Sequence, residues 1–91
     1  MFYVYILRSR RTGRFYVGHT DDVAQRLVEH NLGLSKYTRR WRPWELVYVE
    51  SFETRSAAMK REGQIKRRKS RKYIERLIRG HADQRESVPS R

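Results

Sequence analysis

The chain has 91 residues, enough for one domain with a small core, since a domain of this size buries only about 60–65% of the surface its unfolded chain exposes. It contains no cysteine, which excludes disulfides and thiolate metal sites and makes an intracellular, cytoplasmic protein the simpler expectation. The net charge of +12 calls for a polyanionic partner, whereas no apolar run approaches the ~20 residues of a membrane span and the opening MFYVYILRSRR is too short and aromatic for a signal peptide.

Phe2 to Leu7 is a dense β-branched and aromatic run that reads as a strand buried on both sides. Ser9 to Gly13 is turn material, and Arg14 to Gly18 supplies the second arm of a hairpin. A helix is expected over Thr20–Asn31, capped by Thr20 or Asp21 and stopped at Gly33. Within it Arg26 and His30 stand four apart and share one face, and Val23, Leu27 and Val28 form an apolar side. Leu34 to Pro43 has no steady period and is expected to be a surface loop.

Trp44 to Phe52 alternates as a third strand, with Leu46, Tyr48, Glu50 and Phe52 on one face and Glu45, Val47 and Val49 on the other. Thr54 or Ser56 caps a second helix that ends in the basic run Lys66, Arg67, Arg68, Lys69, where the helix dipole favours cations. Ser70 caps a third helix with Tyr73, Ile74, Leu77 and Ile78 as its stripe and Gly80 as its stop. Arg85 and Arg91 balance Asp83 and Glu86, so the whole excess charge lies in residues 1–80, the expected domain, and 81–91 is expected to be a flexible tail. The order β-β-α-β-α-α predicts an α+β fold, a three-stranded and at least partly antiparallel sheet with helices packed on it.

Val4–Tyr5, Tyr16–Val17–Gly18, Arg26, His30 and Glu62, in that order, resemble the GIY-YIG nuclease superfamily, most closely its small stand-alone bacterial members. The flanking His30–Gly33 and Tyr37–Thr38 elements strengthen the resemblance, which spans about residues 2–78. The first motif here is Tyr3–Val4–Tyr5 and the second Tyr16–Val17–Gly18, so both family tyrosines are kept. The resemblance implies hydrolysis of a nucleic-acid phosphodiester with one divalent metal, Mg²⁺ or Mn²⁺. It implies that Tyr5 and Tyr16 line the site, one of them handling the attacking water, that Arg26 and His30 on the first helix and Tyr37 on the loop join them, and that Glu62 holds the metal.

The chemistry asks for these residue types on its own account. In-line attack on a phosphodiester builds charge on nonbridging and leaving oxygens, and a guanidinium such as Arg26 matches phosphate oxygens with a fixed fork. Mg²⁺ keeps several waters and takes one or two carboxylates, so Glu62 alone suffices. A tyrosine with a pKa of about 10 is a poor base until a cation favours its phenolate, and His30 could hold that tyrosine's proton or donate to a phosphate. Lys36, Arg39, Arg40 and Arg42, interleaved with Tyr37 and Trp41, combine phosphate contacts with stacking surfaces, and Lys66, Arg67, Arg68 and Lys69 extend a positive face beside Glu62.

Each residue also has a plainer reading. Tyr5 fits a core position, Arg26 and His30 a solvated helix face with Glu29 as partner, and Glu62 an ordinary i,i+4 ion pair with Lys66. His19 fits a turn, Asn31 and Gly33 a helix end, and Trp44 the packing of the third strand. The expected activity is a DNA endonuclease with weak sequence preference, DNA being favoured over RNA as partner, with a role in repair or processing and a further protein supplying targeting. A non-catalytic nucleic-acid-binding module on the same fold is the alternative, and a small ribosome-associated protein a third reading. The sequence leaves oligomeric state open.

Overall fold

The computed structural model describes the backbone of residues 1–87 and side chains through residue 81. Its elements are β1 (Phe2–Ser9), β2 (Phe15–Thr20), α1 (Val23–Leu32), a one-turn 3₁₀ helix (Arg39–Trp41), β3 (Trp44–Phe52), α2 (Arg55–Arg68) and α3 (Arg71–Ser87). The α+β order is as expected, and the sheet is antiparallel throughout, in the order β2-β1-β3. The most apolar run therefore takes the centre, where both faces can be covered. Among the described residues no helix is long and apolar enough to cross a membrane.

One face of the sheet carries Val4, Ile6 and Val17 against Ala58 and Ile65 of α2, with Tyr73, Ile74 and Leu77 of α3 beside them. Ala58 has no side chain beyond Cβ, so α2 can approach the sheet closely, and burying Ile65 there contributes about 1.5–3 kcal/mol. The other face carries Tyr5, Leu7 and Trp44, covered by α1 through Val23 and Leu27 and by Trp41. Asn31 completes this side by accepting from the Trp44 backbone N–H (2.6 Å) and donating to the Trp44 carbonyl (3.1 Å), so a residue read as a helix end also anchors β3.

Three details differ from expectation. The cap of α1 is Asp22, whose carboxylate accepts from the Gln25 N–H, because β2 continues through Thr20 and the Thr20 hydroxyl accepts from the Asp22 N–H instead. The alternation of β3 breaks at a bulge opposite Ile6 and Leu7: Ile6 pairs with Tyr48 and Leu7 with Leu46, leaving Val47 as the extra residue. Val47 and Tyr48 then both pack on the α2 side, while Leu46 and Val49 line a groove on the α1 side. Gly80 does not end α3, which continues to Ser87; a helical glycine costs only about 1 kcal/mol, and the His81 ring packs on Tyr48, with 5.2 Å between centroids, just past it. Residues 88–91 of the expected tail lie outside the described residues.

The other caps are as read. Thr54 accepts from Ala57 N–H and Ser70 from Tyr73 N–H, and Gly33, with φ of 83°, closes α1 in the left-handed region where its N–H reaches Glu29 and His30 carbonyls.

Candidate active site

Tyr5 projects from the middle of the central strand into a buried polar row. Its hydroxyl lies 3.0 Å from His30 Nε2, and His30 Nδ1 lies 2.8 Å from Thr38 Oγ1. Tyr5, His30 and Thr38 are each at most 1% exposed, and the Trp44 indole N–H donates to the Thr38 carbonyl at 2.9 Å. One turn before His30, Arg26 sets its guanidinium beside the Tyr5 hydroxyl while donating to Glu29 at 2.7 Å. With the Arg26 charge beside the Tyr5 oxygen, the O–H is best directed at His30 Nε2, and a neutral His30 then carries its proton on Nδ1, toward Thr38.

The titration behaviour agrees with that assignment. Burial, and next the Arg26 charge, hold the His30 imidazole below its usual range and hence neutral. Burial pushes the Tyr5 phenol up to about 12, the Arg26 hydrogen bond offsetting only part of it. The Tyr5 hydroxyl is therefore protonated at neutral pH.

The second tyrosine stands at the sheet's edge. Tyr16 is half-buried on β2, opposite Leu7, with its ring 6.2 Å from Tyr5 and 5.0 Å from His30 between centroids. Gly18, opposite Tyr5, is what lets these rings close up: a Cβ there would lie 2.7 Å from Tyr5 Oη, 2.9 Å from its Cζ and 3.1 Å from Tyr16 Cε2. His19 follows on the opposite face of β2 and meets Glu62 of α2, its Nδ1–H donating at 2.5 Å. Lys66, one turn along α2, binds the other Glu62 oxygen at 2.6 Å and lies 6.0 Å from the centre of the Tyr16 ring. Burial raises the Glu62 pKa, but Lys66 and His19 outweigh it, so the carboxylate stays ionised and below its usual range. The site thus straddles β2, with Tyr16 on the α1 side and His19 and Glu62 on the α2 side.

Tyr5, Tyr16, Arg26, His30 and Glu62 are brought to this one end of the molecule. Tyr37 is not: it is 83% exposed, and its neighbour Thr38 takes the inward position. Lys36, Arg39, Arg40 and Arg42 are exposed on the loop, and Lys66, Arg67, Arg68 and Lys69 are exposed around the end of α2. A groove of about 380 Å³ lined by Phe15, Tyr16, Lys66, Lys69 and Arg71 runs from the site along β2. The larger groove, about 530 Å³, is apolar, lies by Tyr3, Leu27 and Leu46, and gathers no such cations. Sequence reading missed Thr38 and His19 as members of the site. Thr38 had a signal in its place beside Tyr37, and His19 in directly following Gly18 at a strand end.

Among the described residues no three His, Cys, Asp or Glu side chains cluster as a metal cage. The donor set fits a hard divalent cation that keeps most of its water: one ionised carboxylate, Glu62, at 16% side-chain exposure beside an open groove. Its two oxygens at present face the Lys66 ammonium and the His19 ring N–H.

An antiparallel three-stranded sheet whose central and edge tyrosines meet an arginine–histidine helix and a single glutamate defines the GIY-YIG catalytic domain. The family model of that domain matches residues 1–74, and the chain belongs to this nuclease superfamily. Within it the chain is similar to the UPF0213 proteins. It is 39% identical to the one from Staphylococcus saprophyticus over 79 residues, 86% of this chain and 95% of that one, and 47% identical to one from Natronomonas pharaonis over 77 residues, 84% and 88% of the two chains. The solution NMR structure of a UPF0213 protein from Bacillus halodurans aligns with a TM-score of 0.53 at 39% identity, covering 86% of this chain and 83% of that one.

Proposed function

We propose that this protein is a divalent-metal-dependent endonuclease that hydrolyses DNA phosphodiester bonds with weak sequence preference, acting in DNA repair or processing in the cytoplasm. The observation that carries this reading is the meeting of Tyr16 and Glu62 at Lys66, across the edge of β2 and beside a cationic groove. A solvated helix face does not require an acid and a phenol to converge from separate elements.

In this reading the two tyrosines have different tasks. Tyr16, open to the groove, aims the attacking water and, as the phenolate beside the Lys66 ammonium, takes its proton to become the phenol, while Tyr5, committed to His30 and raised to about 12, fixes the Arg26 guanidinium and the floor of the site. Arg26 faces a nonbridging phosphate oxygen, where its charge counts most as the transition state forms. Mg²⁺ or Mn²⁺ at Glu62 would neutralise charge on the phosphate and the leaving oxygen. The groove cations Lys66 and Lys69, with Arg67 and Arg68 beside them and Lys36, Arg39, Arg40 and Arg42 on the loop, hold the backbone without reading bases, which makes binding strongly salt-dependent.

Purified protein and a Glu62→Gln variant, incubated with supercoiled, linear, single-stranded and branched DNA in Mg²⁺ or Mn²⁺ and in EDTA, test this. Expected is metal-dependent cutting that the variant loses while still binding DNA. Binding without cutting on every substrate would instead establish a non-catalytic binding module, a reading that the occupation of both Glu62 oxygens by Lys66 and His19 favours.

A further inference from the structure

Past Tyr16, toward the hairpin turn, the cations along β2 are not free in solvent. Arg71 lies 4.6 Å from the Phe15 ring centre and donates to the Gly13 carbonyl at 3.0 Å, although Glu75 also holds it. Arg14, just before β2, lies 4.4 Å from the centre of Trp41, and Arg40 lies over the same indole at 5.3 Å. Neither Arg14 nor Arg40 has a carboxylate within salt-bridge distance among the described residues. Two guanidiniums gathered on one ring in a cationic protein repel each other, and the indole's quadrupole is what holds them there.

The seat beneath them is rigid. Ser9 Oγ donates to the Trp41 carbonyl at 2.6 Å, Arg10 N–H donates to the Pro43 carbonyl at 2.9 Å, and Arg11 donates to the Arg40 carbonyl at 2.8 Å, so the hairpin turn and the 3₁₀ loop form one unit. Trp41 itself packs against the Tyr5, Leu7 and Trp44 cluster. Its ring is thus occupied by arginine, so it acts here as a seat for phosphate-binding groups rather than as a surface open to a base.

We propose that Trp41 holds Arg14 and Arg40 as a preformed clamp for two backbone phosphates of a nucleic-acid strand, on the hairpin side of the scissile position. Arg14 stands two residues before Tyr16, so the clamped phosphates lie on the hairpin side of the reacting one. The inference rests on the placement of the reaction at Tyr16 proposed above. It adds Arg14 and Trp41, and gives Arg40 a defined place, as the elements that extend bound substrate to one side.

The test uses binding alone, in a Glu62→Gln background that prevents cutting. A labelled single-stranded DNA of mixed sequence is titrated by fluorescence anisotropy across a NaCl series. Replacing Arg14 and Arg40 together by Gln lowers the slope of log K against log salt by about 1.4, two phosphates at about 0.7 each. An Arg55→Gln/Lys60→Gln pair at the far end of α2, matched in charge, leaves that slope within about 0.3 of the parent. Trp41→Leu weakens binding at least several-fold with both arginines still present, and Trp41→Phe, which restores an aromatic face, recovers most of it. An unchanged slope in the Arg14/Arg40 variant, or equal loss in the Arg55/Lys60 control, overturns the clamp while leaving the nuclease reading intact. Failure of the parent to bind DNA at all overturns both.

Discussion

Gly18→Ala probes how the two tyrosines are brought together. On a β-strand an alanine would ordinarily be favoured over glycine by roughly 0.5–1 kcal/mol, so propensity alone predicts stabilisation. The structure predicts the reverse, because the added methyl would sit 2.7 Å from Tyr5 Oη and 2.9 Å from Cζ, against a ring that is 1% exposed and hydrogen-bonded to His30. Overpacking of this kind costs about 1–3 kcal/mol, and in a domain of this size each kcal/mol lowers Tm by about 4–8 °C, so a fall of roughly 5–20 °C is expected. Thermal unfolding followed by far-UV circular dichroism gives the change in Tm, and urea denaturation the free energies, for Gly18→Ala, Tyr5→Phe and the double variant. Tyr5→Phe removes the atom nearest the new methyl and leaves the Cζ contact, so the cost of Gly18→Ala in that background falls by about 1 kcal/mol. Costs that add to within about 0.5 kcal/mol would refute the idea that Gly18 is required by the Tyr5 hydroxyl.

Single-turnover cleavage should separate the tyrosines: Tyr16→Phe loses about 10²–10⁴-fold in rate with its Tm retained, as expected for removal of a general base, whereas Tyr5→Phe loses chiefly stability; the opposite pattern would exchange their roles. His30 is held neutral below the usual imidazole range, so its contribution to stability is complete above about pH 6.5 and is lost as pH falls through its lowered native value. In His30→Gln the urea midpoint measured from pH 7.5 down to 4.5 should therefore fall less steeply than in the parent, and an identical slope would show that His30 is not the group responsible. Lys66→Met removes the ammonium that sits 2.6 Å from Glu62, and Mn²⁺ titration followed by electron paramagnetic resonance should show tighter metal binding, where unchanged or weaker binding would mean that Lys66 does not compete for that position.

The fold was legible because its signals are local and strong. FYVYIL could only be a central strand, Trp44–Phe52 has the bounds expected of it, and Thr54 and Ser70 cap the helices they were read to cap. The α1 cap moved from Thr20 or Asp21 to Asp22 because three adjacent residues can all cap, and sheet pairing decided by drawing Thr20 into β2. The bulge at Val47 left no mark in an alternation that reads equally well in either phase on paper. In the site, the ordered tyrosine, arginine, histidine and glutamate positions do come together at one end of the molecule. What stayed hidden was the partner of each: that Thr38 and not Tyr37 faces inward, that His19 reaches Glu62, and that arginines share the face of Trp41. Those are facts of tertiary contact between segments far apart in the chain, and spacing along the sequence does not encode them.

The position of β2 at the margin of the sheet has a further consequence. An unpaired margin offers N–H and C=O groups to any other extended chain, including another copy of this protein, and a short β-branched and aromatic strand invites such pairing. Arg14, set against Trp41, stands at this margin without a carboxylate partner among the described residues, and Lys66 and Arg71, though paired with Glu62 and Glu75, stand beside it, so a second copy that approaches meets like charge there. An approaching protein strand meets a fence, whereas a polyanion meets an open door. Charge held along the margin thus discourages self-association and leaves the same surface available to nucleic acid, so stripping these residues to quieten binding would at the same time make the protein stickier toward itself.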